Sequence, residues 1–387
     1  MAETEGYRFD NGLWFNGAEF EARTVYVVDG VFAAETPGLQ TIDLSGSYVI
    51  PPYCEGHNHN LGVGKHEERG QRYLRAGVFY VKIQNDAPFF SHQEKAHFAE
   101  SDTLDVAYAH GGITGPGGHP VELLEGIRRG GGYPGLESLE DHAYFEIADA
   151  AELERKWPLL VADRPDFIKV FLQYSEEYEA RKADPAFFGN RGFDPKLLPR
   201  VVELARKEGL RVSVHTTTAH DFHVAAEAGV FEIAHLPGYM SPQLISEEDA
   251  RIAAEKGIVV TTTARLARSI SGKKENFPAI QEAQKANLQR LKDAGVKLAI
   301  GSDSWADSSH LELAYLRSLD VFSIPELLKM WTVNCPRSVF PERRIGALAP
   351  GYEASFLALG GNPLKDFGAT RNIAMRVKQG RILEQPQ

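Results

Sequence analysis

Cysteine is scarce in this chain of 387 residues: Cys54 and Cys335 are the two it has, and neither sits in a CxxC pair. Their scarcity excludes a disulfide framework and a cysteine-built zinc site, and two buried thiols are expected instead. Basic residues are outnumbered, 42 Lys and Arg against 53 Asp and Glu, for a formal net charge of −11. A surface for nucleic acid or anionic lipid needs the opposite balance, so neither partner is expected. Long apolar runs are missing as well; nothing approaches the ~18 residues of a membrane span. The opening Met-Ala-Glu-Thr-Glu-Gly is acidic and carries no apolar stretch, so a cytoplasmic location without a secretory leader is expected. Length and a 43% apolar content are enough to bury a large core, which excludes disorder and stapled mini-protein scaffolds. What the chain holds in surplus is histidine, thirteen in all.

Between residues 48 and 304 one rhythm recurs: a short run rich in Val, Ile, Tyr, Phe or Thr, a polar loop, then a helical stretch. The runs are 48–57, 77–83, 105–111, 167–172, 211–215, 231–235, 258–262 and 297–302. Asp194-Pro195 places an N-cap and a first-turn proline before one helix, and Ser246-Glu-Glu-Asp opens another. Each ends in glycine, the usual helix stop. Eight strands alternating with helices predict an α/β fold, a parallel (β/α)8 barrel of the TIM type. The flanks differ, with short alternating segments such as TVYVVDG, SFLALGG and AMRVKQGRIL. They read as a small β-sandwich built from residues 1–50 and 339–387 around a barrel at 51–338.

Barrels of this kind display reactive side chains at the C-terminal ends of their strands. The first run ends in His57-Asn58-His59, and residues two apart in a strand point the same way, so both rings can reach one ion. The fourth carries Lys169 inside an apolar run; the fifth ends at His215, the sixth at His235 and the eighth at Asp303. Singly, each has an ordinary reading: a core histidine, a snorkelling lysine, a turn aspartate. Together, five strands deliver six ligand-type groups to one face.

His57-x-His59, Lys169, His215, His235 and Asp303, in that order, resemble the metal-binding set of the amidohydrolase superfamily, in its binuclear branch with a carboxylated lysine. Asp43-Leu-Ser-Gly-Ser-Tyr-Val-Ile-Pro-Pro resembles the family's entry into the first strand, and Gly346-Ala-Leu-Ala-Pro-Gly its return to the flanking sheet. The pattern departs from the family at Tyr53-Cys54-Glu55-Gly56, where an aliphatic-Asp step is usual, and at Ser355, where Asp is usual. The resemblance implies two divalent metal ions, Zn2+ foremost: one held by His57, His59 and Asp303, the other by His215 and His235. A carbon dioxide-derived carbamate on Lys169 would bridge them. It further implies attack by a metal-bridging hydroxide on an amide carbonyl, with Asp303 as general acid/base, as in a dipeptidase or N-acyl amino acid hydrolase. Cyclic-amide opening of the imidazolonepropionase kind, deamination, and lactonase or phosphotriesterase chemistry are the alternatives. The first two of these generally use one metal.

Substrate contacts are sought in the loops. His110-Gly-Gly-Ile-Thr-Gly-Pro-Gly-Gly-His119 resembles the Thr-Gly-Gly-His element of prolidase-like dipeptidases, which marks His119 as a catalytic candidate and His110 as a substrate contact; turn-forming glycines are the plain alternative. Tyr239, after His235, is expected to assist carbonyl polarisation or else to pack in the core. Arg265 offers a guanidinium for a substrate carboxylate. The long segment 173–199, with Tyr174, reads as a lid or pocket wall, or as a contact in a homo-oligomer. The expected partner is a small-molecule substrate.

Overall fold

The computed structural model describes residues 6–61, 66–98, 100, 102–304 and 308–383. The acidic residues 1–5, on which the reading of the chain's start rests, lie outside them. The chain begins with β1 (Gly6–Phe15), β2 (Phe20–Val28), β3 (Val31–Ala33), β4 (Gln40–Asp43) and β5 (Tyr48–Ile50). Ten parallel strands follow: β6 (Tyr53–Asn58), β7 (Val78–Ile83), β8 (Asp105–Tyr108), β9 (Gly112–Thr114), β10 (Tyr144–Glu146), β11 (Ile168–Phe171), β12 (Val212–His215), β13 (Glu232–Ala234), β14 (Val259–Thr262) and β15 (Lys297–Ile300). The last three are β16 (Phe356–Leu359), β17 (Ile373–Lys378) and β18 (Arg381–Ile382).

The first five and last three strands make one eight-stranded sheet, ordered β18-β17-β16-β5-β1-β2-β3 with β4 beside β1. β5 is the joint, parallel to β1 and antiparallel to β16, so the two ends of the chain share a sheet as expected. Trp14 and Phe9 converge there on Phe356, with ring centroids 5.1 and 5.0 Å apart. These rings supply a second core, separate from the large one between the parallel strands and helices.

The parallel strands form a seven-stranded sheet, β10-β9-β11-β12-β13-β14-β15, and a three-stranded one, β6-β7-β8. Helices alternate with them, and most strand positions are buried, which explains their near-continuous apolar composition. The two sheets meet at two seams. Asp303 N–H donates to the His57 carbonyl at 2.9 Å, and Asn58 reaches Ser302 at 2.8 Å; elsewhere Asp166 N–H donates to the Tyr108 carbonyl at 2.9 Å.

One expected strand is divided and another is cut short. Residues 48–57 split at Pro51-Pro52 into β5 and β6, which belong to different sheets. Two consecutive prolines bring no N–H, so no ladder runs through them. Residues 105–111 end as a strand at Tyr108, because His110 adopts φ 57°, and the chain re-enters the other sheet as β9. β10, three residues long, has too little pattern to be read in advance. The expected caps form: Asp194 accepts from Lys196 N–H, Ser246 accepts from Asp249 N–H, and Gly209 and Gly257 follow their helices at φ 71° and 67°.

Cys54 and Cys335 are fully buried free thiols, the latter donating to the Ile300 carbonyl at 3.2 Å. A thiol reagent such as DTNB is therefore expected to label neither residue in the native protein and both after unfolding in guanidinium; rapid native labelling would contradict this packing.

Candidate metal centre

The polar groups of the centre stand at the C-terminal ends of parallel strands or just beyond them, except Lys169, the second residue of β11. β6 brings His57 and, past its end, His59; β11 brings Lys169, β12 His215, and the residues after β13 and β15 are His235 and Asp303. Glycine lets two strand ends close on each other: a Cβ on Gly301 would lie 2.5 Å from the His57 Cβ. His235 and Asp303 both hold positive φ, 84° and 47°, a strained setting for residues with a side chain.

His59 Nε2 lies 3.4 Å and His57 Nε2 3.7 Å from Asp303 Oδ1. These three residues offer ligand atoms all within 4.8 Å of one another. The ring centroids of His57 and His235 are 4.3 Å apart, those of His215 and His235 4.4 Å, and those of His119 and His215 4.8 Å. Burial, reinforced by neighbouring histidines and Lys169, holds His57, His215 and His235 well below the usual histidine range. Burial also takes His59 to about 3 and His119 to about 4. Burial thus favours the neutral form of all five rings. Neutral imidazole is the metal-binding form. Burial lowers Lys169 to about 7 and lifts Asp303 to about 6.

Among the described residues, both ring nitrogens of His57 and the Nζ of Lys169 are buried without a hydrogen-bond partner. Buried polar atoms rarely stay unsatisfied, and a cation with nitrogen and oxygen ligands would satisfy these. The residues therefore fit a divalent ion. Their orientation is set from behind: His235 Nδ1 contacts Thr263 Oγ1 at 2.7 Å, which leaves Nε2 for a ligand. Thr217 Oγ1 lies 3.1 Å from both His215 Nε2 and the Tyr239 hydroxyl. Asp221, fully buried, accepts the N–H groups of Thr217 and Thr218 at 2.9 Å, of Ser175 at 2.8 Å and of Tyr174 at 3.2 Å, tying together the loops after β11 and β12. Beneath Lys169, Lys82 and Glu232 form a buried ion pair, and Thr261 donates to the same carboxylate.

The model of the Amidohydrolase family matches residues 162–383, more than half of the sequence. The chain belongs to the amidohydrolase family. The ochratoxinase of Aspergillus niger is 29% identical over 208 residues, which are 50% of this chain and 42% of that protein. The match thus spans less than half the length of that relative. The imidazolonepropionase of Deinococcus deserti is 25% identical over 375 residues, covering 89% of this chain and 87% of that one. Among solved structures, A. niger ochratoxinase superposes with a TM-score of 0.78 at 20% identity, covering 99% of this chain and 96% of that one. A Xaa-Pro dipeptidase with bound methionine in its active site gives 0.77 at 17%, covering 98% and 100%. Both structural likenesses concern the fold.

In this amidohydrolase a cavity of about 340 Å³ opens over the centre, lined by the six expected ligands and by His119 and Tyr239. Three expected substrate contacts are placed elsewhere. His110 is buried against Ser91, Nδ1 to Oγ 2.6 Å, and beside His92, because its positive φ turns it away from the cavity. Arg265 donates its backbone N–H to Glu312, and its side chain is not part of the lining. Tyr174 stacks under Arg181, 3.8 Å from ring centroid to guanidinium, and its hydroxyl reaches only Met240 at the wall. The segment 173–199 does form pocket wall, through Gln173, Gly189 and Asn190. Thr217 and Thr263 escaped the sequence reading, although both lie within a few residues of strand ends; Asp221 was announced only by the Thr-x-x-Asp capping pattern from Thr218.

Removing the Asp221 carboxylate strands four backbone donors, three of them bonded at 2.9 Å or less. Asp221→Ala is expected to lower stability by about 3 kcal/mol or more in chemical denaturation, and a loss under about 1 kcal/mol would refute its role as tether.

Proposed function

We propose that this protein is a metal-dependent hydrolase that cleaves an amide carbon–nitrogen bond in a small-molecule substrate of the dipeptide or N-acyl amino acid type. The reading carries its architecture with it: a (β/α)8 barrel over 51–338 and a β-sandwich from 1–50 and 339–387. The seams at Asp303–His57 and Asp166–Tyr108 support closure of the barrel.

The observation that carries the chemistry is the convergence of His57, His59 and Asp303 beside the unpartnered Lys169 amine. His57, His59 and Asp303 would hold one divalent ion, His215 and His235 a second, and Lys169 would be shared; Zn2+ suits the donors. Bound there, such ions lower the pKa of water and polarise a carbonyl. Lys169 suits carboxylation because burial brings its amine to about 7, so a large neutral fraction is available near neutrality. Its nitrogen lone pair would attack the carbon of carbon dioxide and lose one proton, leaving an anionic carbamate. Asp303 would take a proton from the attacking water and deliver it to the leaving nitrogen. Its carboxyl, lifted by burial to about 6, stands near the working pH, where such exchange is efficient. Tyr239, its hydroxyl 3.4 Å from His215 Nε2, and His119 would hold the substrate carbonyl.

The similarity to imidazolonepropionase across 89% of the chain favours one second reading, the opening of a cyclic amide. Elemental analysis combined with turnover of a panel of dipeptides, acyl-amino acids and lactams separates the two. The first reading predicts two ions per chain and turnover of the linear amides. Full activity with one ion per chain would overturn the bridged centre. Asp303→Asn is expected to lower kcat by about 10²- to 10⁴-fold, and a fully active variant would remove Asp303 from its role.

A further inference from the structure

The walls of the cavity are unlike its floor. On one side stand Leu123 and Leu124 of the helix Val121–Arg129 with Tyr133; on the other stand Leu266 and Ile270 of the helix Leu266–Ser271 with Met240. Leu123 keeps 48% and Ile270 38% of its surface exposed, so the two helices present bare apolar side chains at the mouth. Exposed apolar groups gathered around a pocket rather than scattered singly mark a binding surface. Among the described residues, no arginine and no lysine other than Lys169 lines the cavity. A substrate carboxylate lying along these walls would leave water without a cation to receive it, and that is costly. One wall group is polar and incompletely satisfied. Gln173, 5% exposed, donates through Nε2 to Asn190 Oδ1 at 3.3 Å, while its Oε1 is buried with no partner among the described residues.

From these features we infer that the substrate places a bulky, uncharged apolar group, aryl or branched alkyl, between the Leu123 and Ile270 walls, and offers one N–H donor to Gln173. This rests on the amide-hydrolase reading and adds to it that the group lying along these walls is neutral, a carboxylate such as that of a dipeptide or N-acyl amino acid being directed away from them; aryl amides are the leading class. Dispersion and the hydrophobic effect at the walls supply affinity, and the carboxamide fixes the direction in which the amide lies.

The test uses the metal-loaded protein and reads binding by calorimetry alongside turnover, with three probes. These are benzanilide, which is neutral with aryl groups on both sides; N-methylbenzanilide, which lacks the N–H; and N-acetylglycine, which is small and anionic. Benzanilide is expected to bind at least about tenfold more tightly than N-acetylglycine. N-methylation is expected to weaken it several-fold. Leu123→Asp and, separately, Ile270→Asp should each loosen benzanilide about tenfold; both positions are half-exposed, and the wild-type comparison needs neither variant. Equal or tighter binding of N-acetylglycine overturns the inference, and equal binding of the two anilides removes Gln173 from it. Benzanilide bound as expected but never cleaved, with no amide of the wider panel cleaved either, would refute the hydrolase reading and leave the apolar site standing. Cleavage confined to N-acetylglycine would do the reverse.

Discussion

Desolvation of polar groups at the ends of parallel strands is the constraint on which this structure depends. Four histidines, a lysine and an aspartate are gathered where water is largely excluded, and burial there disfavours every charged form. The imidazoles are driven neutral and the lysine towards neutrality. The same burial that makes the cluster expensive as a piece of apo protein makes it receptive to cations. A cluster left as it stands would carry unsatisfied nitrogen atoms at His57 and Lys169.

The surroundings of the cluster between the parallel strands are organised to hold that cost in place. Below Lys169 the Lys82–Glu232 pair, joined by Thr261, keeps its own charges matched within the strands. Burial pushes the Glu232 carboxyl up, but the Lys82 charge and these hydrogen bonds bring it below the usual range. Behind the histidines, Thr263 and Thr217 fix ring orientation, and Asp221 gathers four N–H groups and so ties the loops after β11 and β12 together. Above the cluster the cavity changes character to apolar walls. Floor and walls therefore differ in chemistry: the first is polar and rich in ligand-type groups, the second apolar.

The family was legible from the sequence because its ligands are tied to strand ends, and strands of buried parallel sheets announce themselves as short apolar runs. His57-x-His59, His215, His235 and Asp303 each follow such a run, and the cavity receives all of them. The errors lie where local conformation overrides pattern. Pro51-Pro52 divides one run between two sheets, and the positive φ of His110 ends another and turns its own ring away from the cavity. Arg265 reads as a carboxylate partner because it follows a strand closely; its backbone N–H donates to Glu312, and it is not among the residues that line the cavity.

What the sequence by itself determined is the set of groups that can meet an ion, since periodicity in strands dictates which side chains share an end. Which groups surround a substrate is decided only in three dimensions. Leu123, Gln173 and Ile270 come from separate loops and helices with no common spacing, and their meeting depends on how those segments pack around the cavity. Strand ends repeat along the chain, whereas walls are made by long-range packing, and packing leaves no local periodic signature.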